Sequence, residues 1–418
     1  MVGRSHPSPA SWRLALGAVV ALAAACVPDL IPKEDRSTGP GGGTAMSSGA
    51  GGTGGVGPGG GGGQGGGSCG DAIVEGAEAC DDGNSVENDG CSATCRGPNL
   101  VELDCGAGNN CCARDKDGAI TCWGETLPAA LPTGAGWKAV DAVLSMVAGL
   151  DPMGQPKVFG ELAGNACKTS NAPAVALESL SLGVWGACGL KADGTMVCWG
   201  GQCGANCNAS GQFVAEQGTF SQVSTHSNSS CAIDKATKAL KCWGCNDAGQ
   251  LNMPQVGEGW KFVAVRNQIT AGITTSGAAY VWGKNAGAGS PPADTYRDVG
   301  CEPGPSCCGV GAGGKVRCWG QETLLKMDAP VGAFEAVEIV RDAEGVSTAC
   351  ALTAGGAVRC WGNSMKLKDV PMKLRPVCTP GKATCLGNVA GVCNDAGSGF
   401  DSGMKCEGGP GCFNGVCQ

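Results

Sequence analysis

The feature that most restricts how this 418-residue chain can fold is a tripeptide ending that returns seven times. It reads Cys122-Trp123-Gly124, Val158-Phe159-Gly160, Cys198-Trp199-Gly200, Cys242-Trp243-Gly244, Val281-Trp282-Gly283, Cys318-Trp319-Gly320 and Cys360-Trp361-Gly362. The aromatic positions lie 36, 40, 44, 39, 37 and 42 residues apart. A second marker, a large apolar residue followed three places later by Val or Leu, keeps phase with the first. It occurs as Leu100/Leu103, Trp137/Val140, Leu177/Leu180, Phe220/Val223, Trp260/Val263, Tyr296/Val299 and Phe334/Val337. It precedes the aromatic by 22 or 23 residues in six repeats and by 27 in the last. Two markers in register seven times define a repeat architecture.

Between the markers the pattern is that of strands. Asp117-Gly118 and Asp193-Gly194 are hairpin signals, flanked by short β-branched runs at 119–122 and 195–198. Short strands in units of about 40 residues predict propeller blades, and seven units would close a ring without a long exposed edge. The expected fold is all-β: a seven-bladed β-propeller over 100–377, with small disulfide-rich modules at both ends.

The fourth repeat reads His226-Ser-Asn-Ser-Ser-Cys231-Ala-Ile and then Leu240-Lys-Cys242-Trp-Gly-Cys245-Asn-Asp-Ala-Gly-Gln250-Leu. The seventh repeats Cys350-Ala-Leu and Val358-Arg-Cys360-Trp-Gly-Asn. These residues resemble the regulator-of-chromosome-condensation (RCC1) propeller family in its secreted bacterial form, over about 278 residues. The repeats are shorter than the family's, and only the fourth keeps a clear Gly-Gln-Leu tail. The resemblance implies a propeller that binds a partner through its ring faces. Some secreted propellers of this kind inhibit an enzyme by covering its active site. Nothing carries over the nucleotide-exchange activity of the nuclear member.

Twenty-nine cysteines point to an oxidising compartment. Five repeats place a Cys ten or eleven residues before the Cys of Cys-Trp-Gly: Cys112/Cys122, Cys188/Cys198, Cys231/Cys242, Cys308/Cys318 and Cys350/Cys360. Where Val158 or Val281 replaces the second Cys, the first is missing too. Joint loss is the behaviour of bonded pairs, so each pair is expected to staple neighbouring strands across a hairpin. Cys105/Cys111 and Cys301/Cys307 share a six-residue offset and are expected to pair locally. The connectivity of Cys167, Cys203, Cys207 and Cys245 is open, as is that of the six cysteines in 378–418. Cys242-Trp-Gly-Cys245 has redox-motif spacing, but Cys242 already holds the structural place in the repeat. The fixed phase of Trp123, Phe159, Trp199, Trp243, Trp282, Trp319 and Trp361 favours packing between blades over carbohydrate stacking.

Ahead of the repeats lie an export signal and a tether. Arg4 and Arg13 precede a 12-residue apolar run, Leu14 to Ala25, too short for a span of about 20 residues and suited to a signal-peptide core. The run ends Ala23-Ala24-Ala25-Cys26. This resembles a bacterial lipoprotein signal, with residues 1–25 removed and lipid on Cys26, although Ala23 stands where Leu is usual. Residues 26–68 become Gly-rich, and 37–68 carry no charge. A flexible coil of 32 residues has an r.m.s. span of about 31 Å, a tether from an outer membrane or cell surface. The expected product is exported, lipid-anchored and monomeric. The chain has 29 Lys and Arg against 37 Asp and Glu and no basic patch, which excludes nucleic acid as a partner.

The acidity is concentrated in 69–99, which holds seven acids and one Arg. Cys69, Cys80, Cys91 and Cys95 frame a stretch that resembles the cysteine-rich repeat of myxobacterial surface proteins. So small a unit needs two disulfides in place of a core, and its Cys spacing lacks zinc knuckles. Glu78, Asp81, Asp82, Asn84, Asn88 and Asp89 offer clustered oxygens of the kind Ca²⁺ prefers; the competing reading is a solvated face of Asx turns. No nucleophile elbow is present, and His226 is the only histidine after the signal. The expected function is non-enzymatic: a surface module that binds a protein or a glycan, with specificity in the segments after each Trp-Gly, such as 201–211 and 284–294. The alternative is an extracellular hydrolase or lyase acting on polysaccharide, with carboxylates at the propeller centre.

Overall fold

A computed structural model describes residues 69–418 apart from 75–77, 79, 87–89, 107, 161–171, 201–214, 228, 267, 285–289, 303–305, 322–324, 327–328, 342–344, 346 and 408–410. Cys26 and the tether therefore lie outside the described residues, as do Cys167, Cys203 and Cys207.

Among the described residues, the repeat region forms seven three-stranded antiparallel sheets, at 100–124, 139–159, 179–200, 220–244, 260–283, 296–320 and 334–362. In the first, Leu100–Gly106 pairs with Asn110–Asp115, which pairs with Ile120–Gly124. The large apolar marker stands at or just ahead of each first strand, and the Trp-Gly or Phe-Gly ending closes each third strand. Second strands such as Met146–Leu150 and Ile269–Thr274 are buried at every residue. They are sandwiched between neighbouring sheets, so their sequences read as small and apolar runs rather than alternating ones.

One backbone joint recurs at every blade boundary. The N–H of the large apolar residue donates to a carbonyl at the hairpin of the preceding blade: Trp137 to Gly118, Leu177 to Gly154, Phe220 to Gly194, Trp260 to Lys238, Tyr296 to Gly277 and Phe334 to Gly314, all within 2.8–3.0 Å. The acceptor residues all have φ between +60° and +99°, a region that favours glycine, and Lys238 alone is not glycine. The seventh joint runs from Leu100 to Gly356 over 2.9 Å and shuts the ring. Leu100, Leu103 and Cys105 of the first blade share a core with Ala336, Val340 and Leu352 of the seventh.

A second set of links joins the first strands of neighbouring blades through side chains. Asp104 accepts from the Ala142 N–H at 2.5 Å, Asp141 from Leu182 at 2.9 Å, Ser181 from Thr225 at 2.9 Å and Ser224 from Val265 at 2.8 Å. These four side chains occupy one repeat position and reach one N–H donor position in the next blade. Ala264 and Gly300 hold that position in blades five and six; in blade six Asp298, two residues earlier, accepts from Val337 at 2.7 Å.

The two terminal modules share one core. Ile73 and Phe400 form a parallel bridge, with the Val74 N–H on the Phe400 carbonyl at 2.8 Å and the Asp81 N–H on that of Ser398 at 2.8 Å. Phe400 is fully buried in a cluster with Ala72, Cys378, Leu386, Val389 and Cys393. This joint unit sits on blade seven, where the Ala333 N–H meets the Asp395 carbonyl. Short helical turns at Met365–Lys368 and Met372–Leu374 bring Leu367 and Leu374 into the core between blades one and seven. No helix among the described residues is long and apolar enough to cross a membrane.

Candidate functional site

The expected hairpin pairs lie opposite one another in register. Cys112–Cys122, Cys188–Cys198, Cys231–Cys242, Cys308–Cys318 and Cys350–Cys360 are disulfides with Cα atoms 4.0 Å apart. Cys105–Cys111 and Cys301–Cys307 are disulfides as well. In blades two and five the same register position holds Ala148 opposite Val158 and Ala271 opposite Val281. An Ala–Val pair fills the space of a cystine with apolar atoms. Connectivities that the sequence left open are Cys69–Cys95 and Cys80–Cys91 in the first module, and Cys378–Cys393, Cys385–Cys412 and Cys406–Cys417 in the last. Cys245 is also disulfide-bonded.

The repeated aromatics pack against the preceding blade. Trp199 joins the core of blade two, Trp243 of blade three, Trp282 of blade four, Trp319 of blade five, Trp361 of blade six and Trp123 of blade seven. The indole Nε1 of Trp123 donates to the Leu367 carbonyl and that of Trp361 to the Leu325 carbonyl, both at 3.1 Å. Phe159 is half-buried and meets Trp137 of its own blade edge-on at 5.8 Å, much as Trp282 meets Trp260 at 5.5 Å and Trp319 meets Tyr296 at 5.7 Å with tilted rings.

The acidic module is organised around Asp81, which is fully buried. Its Oδ2 accepts from the N–H groups of Gly70 at 2.8 Å and Asp71 at 3.1 Å, and its Oδ1 from Ala72 at 2.7 Å and Gly83 at 2.8 Å. Asp82 Oδ1 accepts from the Asn84 N–H and Asn84 Oδ1 from that of Val86, the pattern of Asx turns. Four N–H dipoles converging on one carboxylate make an environment for an anion. Both Asp81 oxygens are thus taken by backbone N–H groups, and Glu78 lies near Asp81. Asn88 and Asp89 lie outside the described residues.

Carboxylates do gather on the inner strands, and the sequence did not single them out. Asp104, Asp141, Glu302 and Glu338 are each no more than 2% exposed. Asp104 and Asp141 hold the next blade; Glu302 accepts a short bond from the Ser347 hydroxyl. Glu338 pairs with Arg266 at 3.5 Å, both fully buried, linking blade seven to blade five. His226 is also fully buried, its Nδ1 2.8 Å from the Ser227 hydroxyl. In the Gly-Gln-Leu tail, Gln250 is buried and donates to Ser229, holding the segment after Trp243 against its own blade.

An open groove lies on the face carrying the hairpins between second and third strands. This groove of about 390 Å³ is lined by Arg114, Lys116, Asp117, Trp137, Lys138 and Glu178, together with Gly118 and Gly136. Arg114 is fixed by Glu102 at 2.6 Å, while Lys116, Asp117, Lys138 and Glu178 are exposed. Segment 201–211 and residues 285–289 lie outside the described residues.

Residues 67–96 match the model of a domain of unknown function, DUF4215. No curated protein matches the chain. Among solved structures, the CRINKLY WD40 ectodomain of the Arabidopsis thaliana receptor kinase ACR4 is similar at a TM-score of 0.51 and 18% identity, over 65% of this chain and 96% of that one. The Physcomitrella patens receptor kinase CR4 ectodomain matches at 0.48 and 19%, over 70% and 81% of the two chains. Prp20p of Saccharomyces cerevisiae, the yeast RCC1, matches at 0.40 and 12%, over 74% and 77%. The fold is that of a β-propeller.

Proposed function

We propose that this β-propeller is an exported, non-enzymatic binding module, held at an outer membrane or cell surface through lipid on Cys26. It works as a monomer whose ring faces take a surface protein or a glycan, and nucleic acid is not a partner. Inhibition of an enzyme by covering its active site is one form such binding can take. The observation that carries this reading is the use made of the inner polar groups. Asp104, Asp141, Asp298 and Glu302 are bonded to other blades and Glu338 is paired with Arg266, so the polar centre joins the ring together. The polysaccharide hydrolase or lyase reading needs two carboxylates facing a substrate across about 5–10 Å. Burial of these acids supports binding over catalysis. Twelve disulfides among the described residues support an oxidising destination.

The test uses the full chain with its own leader, immobilised and offered surface proteins and soluble polysaccharides. Saturable retention of one class without chemical change in it is expected; turnover of a polysaccharide would overturn the reading. For the anchor, Cys26→Ser is expected to release the protein from membranes and to abolish palmitate incorporation. Unchanged fractionation and labelling would remove the lipid.

A further inference from the structure

We infer that the groove across blades one, two and three on the hairpin face is a subsite for a sugar ring of a polysaccharide, an inference that rests on the binding-module reading above. The argument begins with a break in the seven-fold pattern. The large apolar residue that makes the inter-blade joint is buried in six blades: Leu100, Leu177, Phe220, Trp260, Tyr296 and Phe334 are all at most 6% exposed. Trp137 in blade two is only half-buried, and it lines the groove. The Trp-Gly aromatics of the other six blades take part in the cores between blades, whereas Trp137 leaves part of its ring open on the groove.

Trp137 is held rigidly. Its backbone N–H donates to Gly118 at 3.0 Å and its indole Nε1 to the Thr133 carbonyl at 3.1 Å. Phe159 meets its ring edge-on, and a Cβ at Gly149 would come within 2.8 Å of the ring, so only glycine allows that contact. An aromatic wall fixed before the ligand arrives loses little conformational freedom on binding.

The polar groups around it select the ligand class. Lys116, Lys138 and Arg114 are donors, while Asp117 and Glu178 are acceptors. A phosphate or a nucleic acid calls for cations alone, and a hydrocarbon for neither. A sugar ring presents an apolar C–H face to an aromatic plane and a rim of hydroxyls that both donate and accept. Interleaved donors and acceptors beside an indole match that chemistry. The volume of about 390 Å³ falls within the usual range for small-ligand sites, about 300–1,000 Å³.

The test is affinity electrophoresis of the full chain in gels holding xylan, dextran, a soluble β-1,3-glucan or polygalacturonate, followed by calorimetry on any that retards it. At least one polysaccharide is expected to retard the protein. Trp137→Ala is expected to weaken that association by about tenfold, with Trp137→Phe retaining most of it. Should Trp137→Ala fail to fold, the double variant Lys138→Ala/Glu178→Ala changes only exposed side chains and is also expected to weaken binding. No retardation by any of the four, or retardation unchanged in the folded variants, overturns the sugar subsite. Retention of a surface protein but of no polysaccharide overturns the subsite and leaves the binding module standing. Retention of neither removes both.

Discussion

The backbone N–H of Leu100 donates to the carbonyl of Gly356 across 2.9 Å, and this bond joins the first blade to the last. It is the same bond that links every other pair of neighbouring blades, so the closure uses no special latch. The ring shuts because its seventh joint has the residues of the other six: a large apolar donor and an acceptor at positive φ.

That joint predicts opposite effects at two acceptors. Lys238 holds φ +60° where the other six blades use glycine. A left-handed conformation costs a side-chain-bearing residue about 1–2 kcal/mol, and added glycine freedom in the unfolded chain costs about 0.4–1 kcal/mol. Lys238→Gly is therefore expected to stabilise by about 0.5–1 kcal/mol. At Gly356, φ is +74° and a Cβ would stand 2.8 Å from the Leu100 nitrogen. Gly356→Ala is expected to destabilise by about 1–3 kcal/mol. Denaturant midpoints of the two variants check both signs, and a loss from Lys238→Gly would refute the account.

Blades two and five already show how a hairpin manages without its cystine. Cys188→Ala with Cys198→Val would give blade three the Ala–Val pair of Ala148/Val158 and Ala271/Val281. The double variant is expected to fold with a loss of about 2–3 kcal/mol, the value for a short closed loop. Cys188→Ala alone leaves an exchangeable thiol at Cys198 and is expected to yield mispaired species on non-reducing peptide maps. A double variant that does not fold would show that the cystine has a role beyond closing the loop.

Asp81 organises the first module, so its charge matters more than its size. In Asp81→Asn one acceptor oxygen becomes a donor that faces N–H groups. Hydrogen bonds to a charged group contribute about 1.5–3 kcal/mol each, so losing two is expected to cost about 3 kcal/mol or more. Amide exchange at 70–72 is expected to accelerate, and through the Asp81–Ser398 and Val74–Phe400 bonds so is exchange at 398–400. Millimolar Ca²⁺ is expected to leave the wild-type exchange pattern unchanged. Saturable protection by Ca²⁺ would support the cation reading of this module.

Glu258 supplies the pH dependence. Hydrogen bonds from the Ser276 and Thr275 hydroxyls and the Ser276 N–H hold its carboxyl down at about 2, from an ordinary 4.5. A folded-state value below the unfolded one stabilises the protein fully above pH 4.5, and that contribution is lost as pH falls from 4.5 towards 2. Glu258→Gln is therefore expected to lower the melting temperature at pH 7 and to converge with wild type near pH 2. Parallel melting curves across that interval would contradict the assignment.

Much of the scaffold was legible because a repeat states its own geometry several times. The paired loss of Cys and its partner exposed the hairpin disulfides, and the fixed phase of Trp199, Trp282 and Trp361 exposed their packing role. Asp104, Asp141, Ser181 and Ser224 occupy one repeat position, but their identities vary. Only the approach of neighbouring first strands shows that Asp and Ser do the same work there. The groove was hidden for a related reason. Trp137 carries the same marker as six buried residues, and nothing local to it reports how much of its ring stays open.

The amino-acid sequence by itself determined the local unit: strands about five residues long, glycines at the tight turns, and paired cysteines on adjacent strands. Those are short-range properties, set by backbone conformation and by side-chain size. Tertiary structure alone decided that Leu100 meets Gly356, that Phe400 is buried beside Ala72, and that Arg266 pairs with Glu338 of a non-adjacent blade. Each of these contacts joins residues far apart in the chain, and it exists only after every intervening blade has added its own rotation to the ring.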